Sequence, residues 1–135
     1  MIYLDSSAVI KLVRQETGTR ELLDWLASQP DSTLVCSVLV EVEVPRALRR
    51  YAPSALSQVP RVLAGLYLVA IDDTIRATAA SYAEPTFRSL DAIHLATAEV
   101  MATLGDPLDA FVAYDRRLLT AAAVRGIPTV SPGQG

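Results

Sequence analysis

Short runs rich in β-branched and aromatic residues alternate along this chain with longer stretches of helical periodicity. The runs are IYL at 2–4, TLVCS at 33–37, LYLVAI at 66–71, AFVAY at 110–114 and IPTV at 127–130. This order constrains the fold more than any other feature, because strands that alternate with helices are the signature of βα units around a parallel sheet. The fold class expected is therefore α/β. SSAVIKLVR leads into a first helix, Gly18 interrupts it, and RELLDWLAS continues with Leu22, Leu23, Trp25 and Leu26 on an apolar stripe. Pro30 and Asp31 mark a turn, and Ser37 is placed to cap the next helix, which Pro45 should kink or restart. Further helices are expected over 54–65, 73–82, 89–103 and 115–125, the last ended by Gly126, with SPGQG as a frayed tail.

With 135 residues the chain reads as one domain over 1–131 followed by a short tail, 132–135. A chain of this size buries enough surface to fold without a disulfide or a metal staple, so any metal would serve chemistry. Its 51% hydrophobic content and mean hydropathy of +0.31 exclude a disordered, charge-rich chain. No apolar run approaches the roughly 20 residues needed to cross a bilayer. MIYLDSS lacks the pattern of a secretory signal, and the single cysteine, Cys36, cannot form an internal disulfide, so a cytoplasmic location is expected. A net charge of −3 argues against a broadly basic nucleic-acid binder, yet permits an enzyme that reaches phosphates through a bound cation.

Ligands of open parallel sheets gather at the carboxyl ends of the strands, so acids just after a strand or at the start of the next helix are the informative ones. Asp5 follows IYL, Asp115 follows AFVAY, and Asp91 opens the helix that contains SLDAIHLATA. Asp109 precedes the fourth strand and should lie near the opposite end of the sheet, roughly 20 Å from Asp115. Each selected acid also fits an ordinary role, since Asp is favoured at helix N-caps and in first turns. Asp72 and Asp73 fit that role alone. Glu41 and Glu43 share a helix but stand about 200° apart around it, so at most one joins the others, and periodicity does not choose between them. An unpaired carboxylate at Asp91, among apolar neighbours, would be costly, and several sharing a site would repel one another. A divalent cation removes that penalty and takes hard oxygen ligands, so Asp91 is placed to hold a metal. An all-oxygen set suits Mg²⁺ or Mn²⁺ better than imidazole, so His94, the only histidine, is expected to pack or hydrogen-bond rather than ligate.

At this point the chain resembles a known family, the PIN-domain ribonucleases, and within it the VapC-like toxins of type II toxin-antitoxin pairs. IYLDSSAVIKL looks like the family's opening strand, with its first acid at Asp5 and a hydroxyl neighbour at Ser6. SVLVEVEVPRAL looks like the second motif and selects Glu43 over Glu41. SLDAIHLATA matches the third, with its acid at Asp91, and FVAYDRRLLTAA followed by GIPTVSP resembles the closing motif, with its acid at Asp115. Each segment alone is weak, but four in order along nearly the whole chain are specific. Two departures stand out: Ala113 replaces the hydroxyl residue often found two positions before the last acid, and Pro45 lies close to Glu43.

The resemblance implies a three-layer α/β/α sandwich with a central, mainly parallel sheet of four or five strands. It also implies Mg²⁺-dependent hydrolysis of RNA phosphodiesters, with Mn²⁺ as a substitute. Asp5 and Asp91 would hold the metal, and Glu43 and Asp115 would complete the site by holding water, accepting a proton or supporting a second ion. Single-stranded or looped RNA is the expected target. Eleven of the twelve basic residues are Arg, and Arg46, Arg49, Arg50, Arg14, Arg116 and Arg117 are candidates either for phosphate contacts or for surface ion pairs. The implied partners are a cognate VapB-like antitoxin, whose tail can direct a basic side chain into the acidic pocket, and a second copy of the chain. Operator DNA would be reached only through the antitoxin, and no membrane is involved.

Other classes fit less well. A phosphoaspartyl hydrolase would carry a second acid where Ser7 stands, and a receiver module would carry a Lys after its last strand, whereas the only lysine is Lys11. The remaining alternative is a catalytically weak or inactive PIN-like binding module.

Overall fold

A computed structural model of the chain describes residues 1–134. Five strands, β1 (Ile2–Leu4), β2 (Leu34–Ser37), β3 (Tyr67–Val69), β4 (Ala110–Val112) and β5 (Thr129–Val130), form one sheet in the order β3-β2-β1-β4-β5. Every pairing is parallel, so the expected α/β class and mainly parallel sheet are found, with all five strands present. Alternate residues of the strands point to opposite faces. Ile2, Leu4, Cys36 and Val112 join one apolar cluster, and Tyr3, Val35, Phe111 and Ala113 join the other.

The helices fill the two outer layers. On the first face lie α1 (Ser6–Val13), α2 (Thr19–Ala27), α3 (Val40–Tyr51) and α4 (Val59–Ala64), through Val9, Leu22, Val44, Leu48 and Val62. On the second lie α6 (Ser89–Thr103) and α7 (Arg116–Val124), through Leu95, Ala98, Leu118 and Ala122, with α5 (Asp73–Ala80) packed against α6. Burying each large apolar side chain contributes about 1.5–3 kcal/mol, which is what holds the three layers together. The chain works outward from β1 to β3 on one side, then crosses to β4 and β5 on the other. The order therefore reverses between β1 and β4, where an open sheet presents its crevice.

Local chemistry explains where the elements depart from expectation. Pro45 neither ends nor restarts its helix: α3 runs unbroken from Val40 to Tyr51. The bond it forgoes is the one to the Glu41 carbonyl, in the exposed first turn, where water can replace it. Ser37 does not cap α3 itself but stays in β2 and accepts from Leu39 N (3.1 Å), shaping the turn ahead of the helix. The helix expected over 54–65 divides into a 3₁₀ segment, Pro53–Gln58, and the short α4, each with a proline in its first turn, the position that tolerates one.

The tail expected to fray is instead held down as far as Gln134, and Gly135 lies outside the described residues. Tyr114 Oη donates to Pro132 O (2.8 Å), and Ser131 Oγ donates to Ala113 O (2.8 Å). Gly18 and Gly133 make that closure possible: both have positive φ (92° and 87°), and a Cβ on Gly133 would fall 2.7 Å from Gly18 Cα. No helix among the described residues is long and apolar enough to cross a membrane.

Candidate active site

Two of the four acids expected to form the site sit where βα loops turn into helices. Asp5 directly follows β1 and is the N-cap of α1, its Oδ1 accepting from Ala8 N (3.0 Å) and Ser7 Oγ (2.6 Å). The hydroxyl that serves Asp5 is thus on Ser7, not on adjacent Ser6. Asp115 stands three residues past β4 and caps α7, its Oδ1 accepting from Arg117 N (2.8 Å) and Leu118 N (3.1 Å). Capping and membership of a shared site coexist here, because each cap bond is made by Oδ1. Flanking the β1/β4 reversal, the two loops place their carboxylates at one edge of the sheet.

The other two acids come from helices on opposite faces. Asp91 lies in the first turn of α6, half-buried rather than enclosed, with its neighbour Leu90 turned to solvent (45% exposed). Glu43 lies in α3 with its Oε1 2.7 Å from Nε2 of His94. Glu41, which periodicity left open, is exposed. His94 itself is buried, and its Nδ1 meets the hydroxyl of Tyr3 at 2.7 Å, so both ring nitrogens are engaged by protein atoms, as expected of a hydrogen-bonding rather than ligating residue. Tyr3 was missed as anything more than a strand residue. The available signal was a phenol in a strand buried on both faces, which requires a polar partner.

Charge coupling shows that these groups share a locality. Burial pushes the Asp5 carboxyl above its ordinary range, the charge of Asp91 adds to the rise, and His94 together with the Ser7 and Ala8 donors opposes it. Burial also raises Asp91, followed by the charge of Asp115 and, more weakly, of Glu43, against the opposing His94 and Arg88. The Cys36 thiol is pushed up by burial first and then by Asp5 and Glu43. All four carboxylates therefore act on a common region. Among the described residues no three His, Cys, Asp or Glu side chains stand close enough to form a metal shell on their own. An ion bound there would have to keep several of its waters and be held through one or two carboxylates, which Mg²⁺ tolerates. The donor set is all oxygen, and burial makes the charged forms of Asp5 and Asp91 more costly, a cost that a cation would offset, so the residues present fit such an ion.

The surroundings separate the arginines. Arg125 pairs with Glu84 (2.7 Å), while Arg14 stands 3.8 Å from Glu16 and over the Tyr51 ring. Arg46 and Arg50 form no ion pair among the described residues and line a groove with Ser6, Val42, Glu43 and Leu90. Arg116 and Arg117, exposed beside Asp115, are likewise without an ion pair among the described residues. Ala113 is fully buried in the cluster around Phe111, so the departure from the family pattern points into the core. Asp109 binds the N-terminal amine (2.9 Å), away from the other acids as expected, and Asp72 caps α5 through Ile75 N (2.8 Å).

Comparison with known proteins identifies the family. The family model described as PIN domain matches residues 2–124. The chain is 48% identical over 134 residues to Ribonuclease VapC35 of Mycobacterium tuberculosis, covering 99% of this chain and 98% of that one. It is 39% identical over 136 residues to Ribonuclease VapC47 of the same organism, covering 98% of each. Among solved structures, M. tuberculosis VapC20, described as a Sarcin-Ricin loop cleaving toxin, superposes with a TM-score of 0.74 at 17% identity over 98% of this chain and all of that one. A toxin-antitoxin complex from Klebsiella pneumoniae gives a TM-score of 0.72 at 21% identity, covering 98% of both chains. Those last two likenesses show the fold, and the sequence relatives show the lineage: the chain belongs to the PIN-domain family and, within it, to the VapC ribonucleases.

Proposed function

We propose that the chain is the toxin of a type II toxin-antitoxin pair, a Mg²⁺-dependent endoribonuclease that hydrolyses RNA phosphodiester bonds and is inhibited by a cognate VapB-like antitoxin. The observation that supports the reading is the charge influence that Asp5, Glu43 and Asp115, from distant segments, exert on Asp91 or its neighbourhood, with Asp5 and Asp115 in the two loops that flank the β1/β4 reversal. Asp5 and Asp91 would hold the cation, for which Mn²⁺ could substitute. When bound, such an ion stabilises charge developing on a phosphate and lowers the pKa of water.

The chain's own residues supply the rest. Glu43, with Oε1 held by His94, keeps Oε2 available to accept a proton from the attacking water. Asp115, anchored by the α7 amides through one oxygen, presents the other to the pocket and preserves its negative potential. Arg46 and Arg50 would receive phosphates on either side of the cut, offsetting the repulsion between an acidic protein and a polyanion. In this reading the protein works in the cytoplasm, forms a homodimer, and meets operator DNA only through its antitoxin.

Incubating purified protein with single-stranded RNA and Mg²⁺ or Mn²⁺ tests the assignment. Cleavage is expected and should be lost with EDTA and in Asp91→Ala. Equal cleavage by wild type and Asp91→Ala would refute the site, and RNA binding without cleavage by the metal-loaded protein would instead indicate a non-catalytic binding module.

A further inference from the structure

The third-motif helix carries a residue that the four acids do not account for. His94 lies three positions after Asp91, so the two project from neighbouring points on α6, and it is buried to 1% exposure. Its ring is fixed on both sides. Nδ1 lies 2.7 Å from Tyr3 Oη, and the two rings meet edge to face at 5.9 Å. Tyr3 is in turn fully buried: it occupies the central strand and stacks on Phe111 with a centroid separation of 5.3 Å and an interplanar angle of 2°.

One backbone group bears on the hydrogen-bond polarity. The pairing of β1 with β2 ends at Tyr3↔Val35, so Ser37 N lies beyond it and donates to Tyr3 Oη at 3.2 Å. With Ser37 N filling one acceptor site, the single Tyr3 hydrogen is free for Nδ1, and that is the polarity the proposal below assigns. With that polarity the ring hydrogen lies on Nε2, which faces the Glu43 carboxylate, a group with no hydrogen of its own to donate. Glu43 alone has three soft torsions and an exposed helix face beside it. Ordering such a side chain costs up to about 2 kcal/mol. A short bond to a charged acceptor offsets that cost.

We propose that His94 is a positioning residue for Glu43: a buried chain from the Ser37 amide through the Tyr3 hydroxyl and the His94 ring ties one carboxylate oxygen to the centre of the sheet and leaves the other for the reaction. The proposal rests on the ribonuclease reading for its consequence, but not for its geometry. Because both nitrogens are spent on protein partners, the role is distinct from metal ligation.

His94 is the only histidine, so ¹⁵N-histidine labelling yields a single imidazole. At pH 8 the expected spectrum shows a hydrogen on Nε2 and a bare Nδ1, and a hydrogen on Nδ1 would overturn the chain. This readout needs no variant and no activity. In cleavage assays with Mg²⁺, His94→Leu is expected to lower kcat about 10–100-fold with KM changed by less than about twofold, by analogy with the scale seen when a hydrogen-bond partner of a metal ligand is removed. His94→Gln extends an amide N–H to the position of Nε2 and should recover most of that loss. Equal activity of His94→Leu and wild type, or equal damage in the Gln and Leu variants, would refute positioning. Absence of cleavage by wild type would refute the ribonuclease reading instead, with the nitrogen spectrum still deciding whether His94 donates to Glu43.

Discussion

Tyr3→Phe isolates the keystone of the buried chain without opening a cavity. The ring, its stack on Phe111 and its position between β2 and β4 all remain, and only the hydroxyl is lost. Two buried groups then lose their partner: Ser37 N, 3.2 Å away, and His94 Nδ1, 2.7 Å away. Each bond contributes about 1 kcal/mol net, and leaving a buried donor or acceptor unsatisfied costs about 1–3 kcal/mol. The longer Ser37 bond takes the low end of that range, and the greater apolar character of Phe recovers part, so a loss of about 2–3 kcal/mol is expected. For a domain of this size that corresponds to a fall in Tm of roughly 8–12 °C. Equilibrium urea unfolding in EDTA, at one protein concentration, measures it directly. Tyr82→Phe is the internal control: its hydroxyl donates to Glu99 from a half-exposed position, where the loss should stay below about 1 kcal/mol. If Tyr3→Phe is as stable as wild type, or no worse than Tyr82→Phe, the hydroxyl does not join these groups and the chain does not exist.

Three further outcomes follow from the same geometry. Burial raises the Asp5 pKa in the fold, so its stabilising contribution is complete below the unfolded-chain value and is lost as pH rises through the folded one. Asp5→Asn keeps the cap geometry without the charge and should therefore raise Tm by a few degrees in EDTA at pH 8, an advantage that closes as pH falls, while abolishing cleavage; a lower Tm at pH 8 would contradict the burial cost. Arg46→Ala and Arg50→Ala should each raise KM for RNA more than they lower kcat, and should flatten the dependence of log binding on log salt by about 0.7, with an unchanged slope removing the groove from the RNA path. Cys36 is fully buried and its thiol is pushed up by burial, so a disulfide reagent should leave it untouched at pH 8 and label it fully after unfolding in guanidinium; rapid labelling of the native protein would contradict its placement.

The parts legible from sequence were those governed by local chemistry. Strands buried on both faces declare themselves as apolar runs, and α6 spans Ser89–Thr103, matching its periodic segment. The placement of Asp5 and Asp115 between strand and helix was readable from position alone, and each caps the helix it precedes. What local pattern missed depends on contacts between distant segments. Helical geometry could not choose Glu43 over Glu41, because the deciding contact is His94, 51 positions away on the other layer. Likewise Tyr3 acquires its meaning only when α6 is laid against β1. The tail looked loose because its glycines suggest freedom, whereas the close approach of Gly133 to Gly18 is what pins it. Pro45 was expected to kink or restart its helix; α3 does not restart, and the one carbonyl left without its helical partner, that of Glu41, lies in an exposed turn where water can serve it.

Direct binding of Mn²⁺, followed by the loss of its free-ion paramagnetic resonance signal, interrogates the pocket itself. Wild type should take up the ion saturably over the same concentrations that switch on RNA cleavage, more weakly as pH falls and protons compete for the two reluctant carboxylates. Asp5→Asn and Asp91→Asn should bind little or none. Uptake by either variant equal to wild type, or no uptake by wild type while RNA is being cut, would contradict a cation site built from these acids.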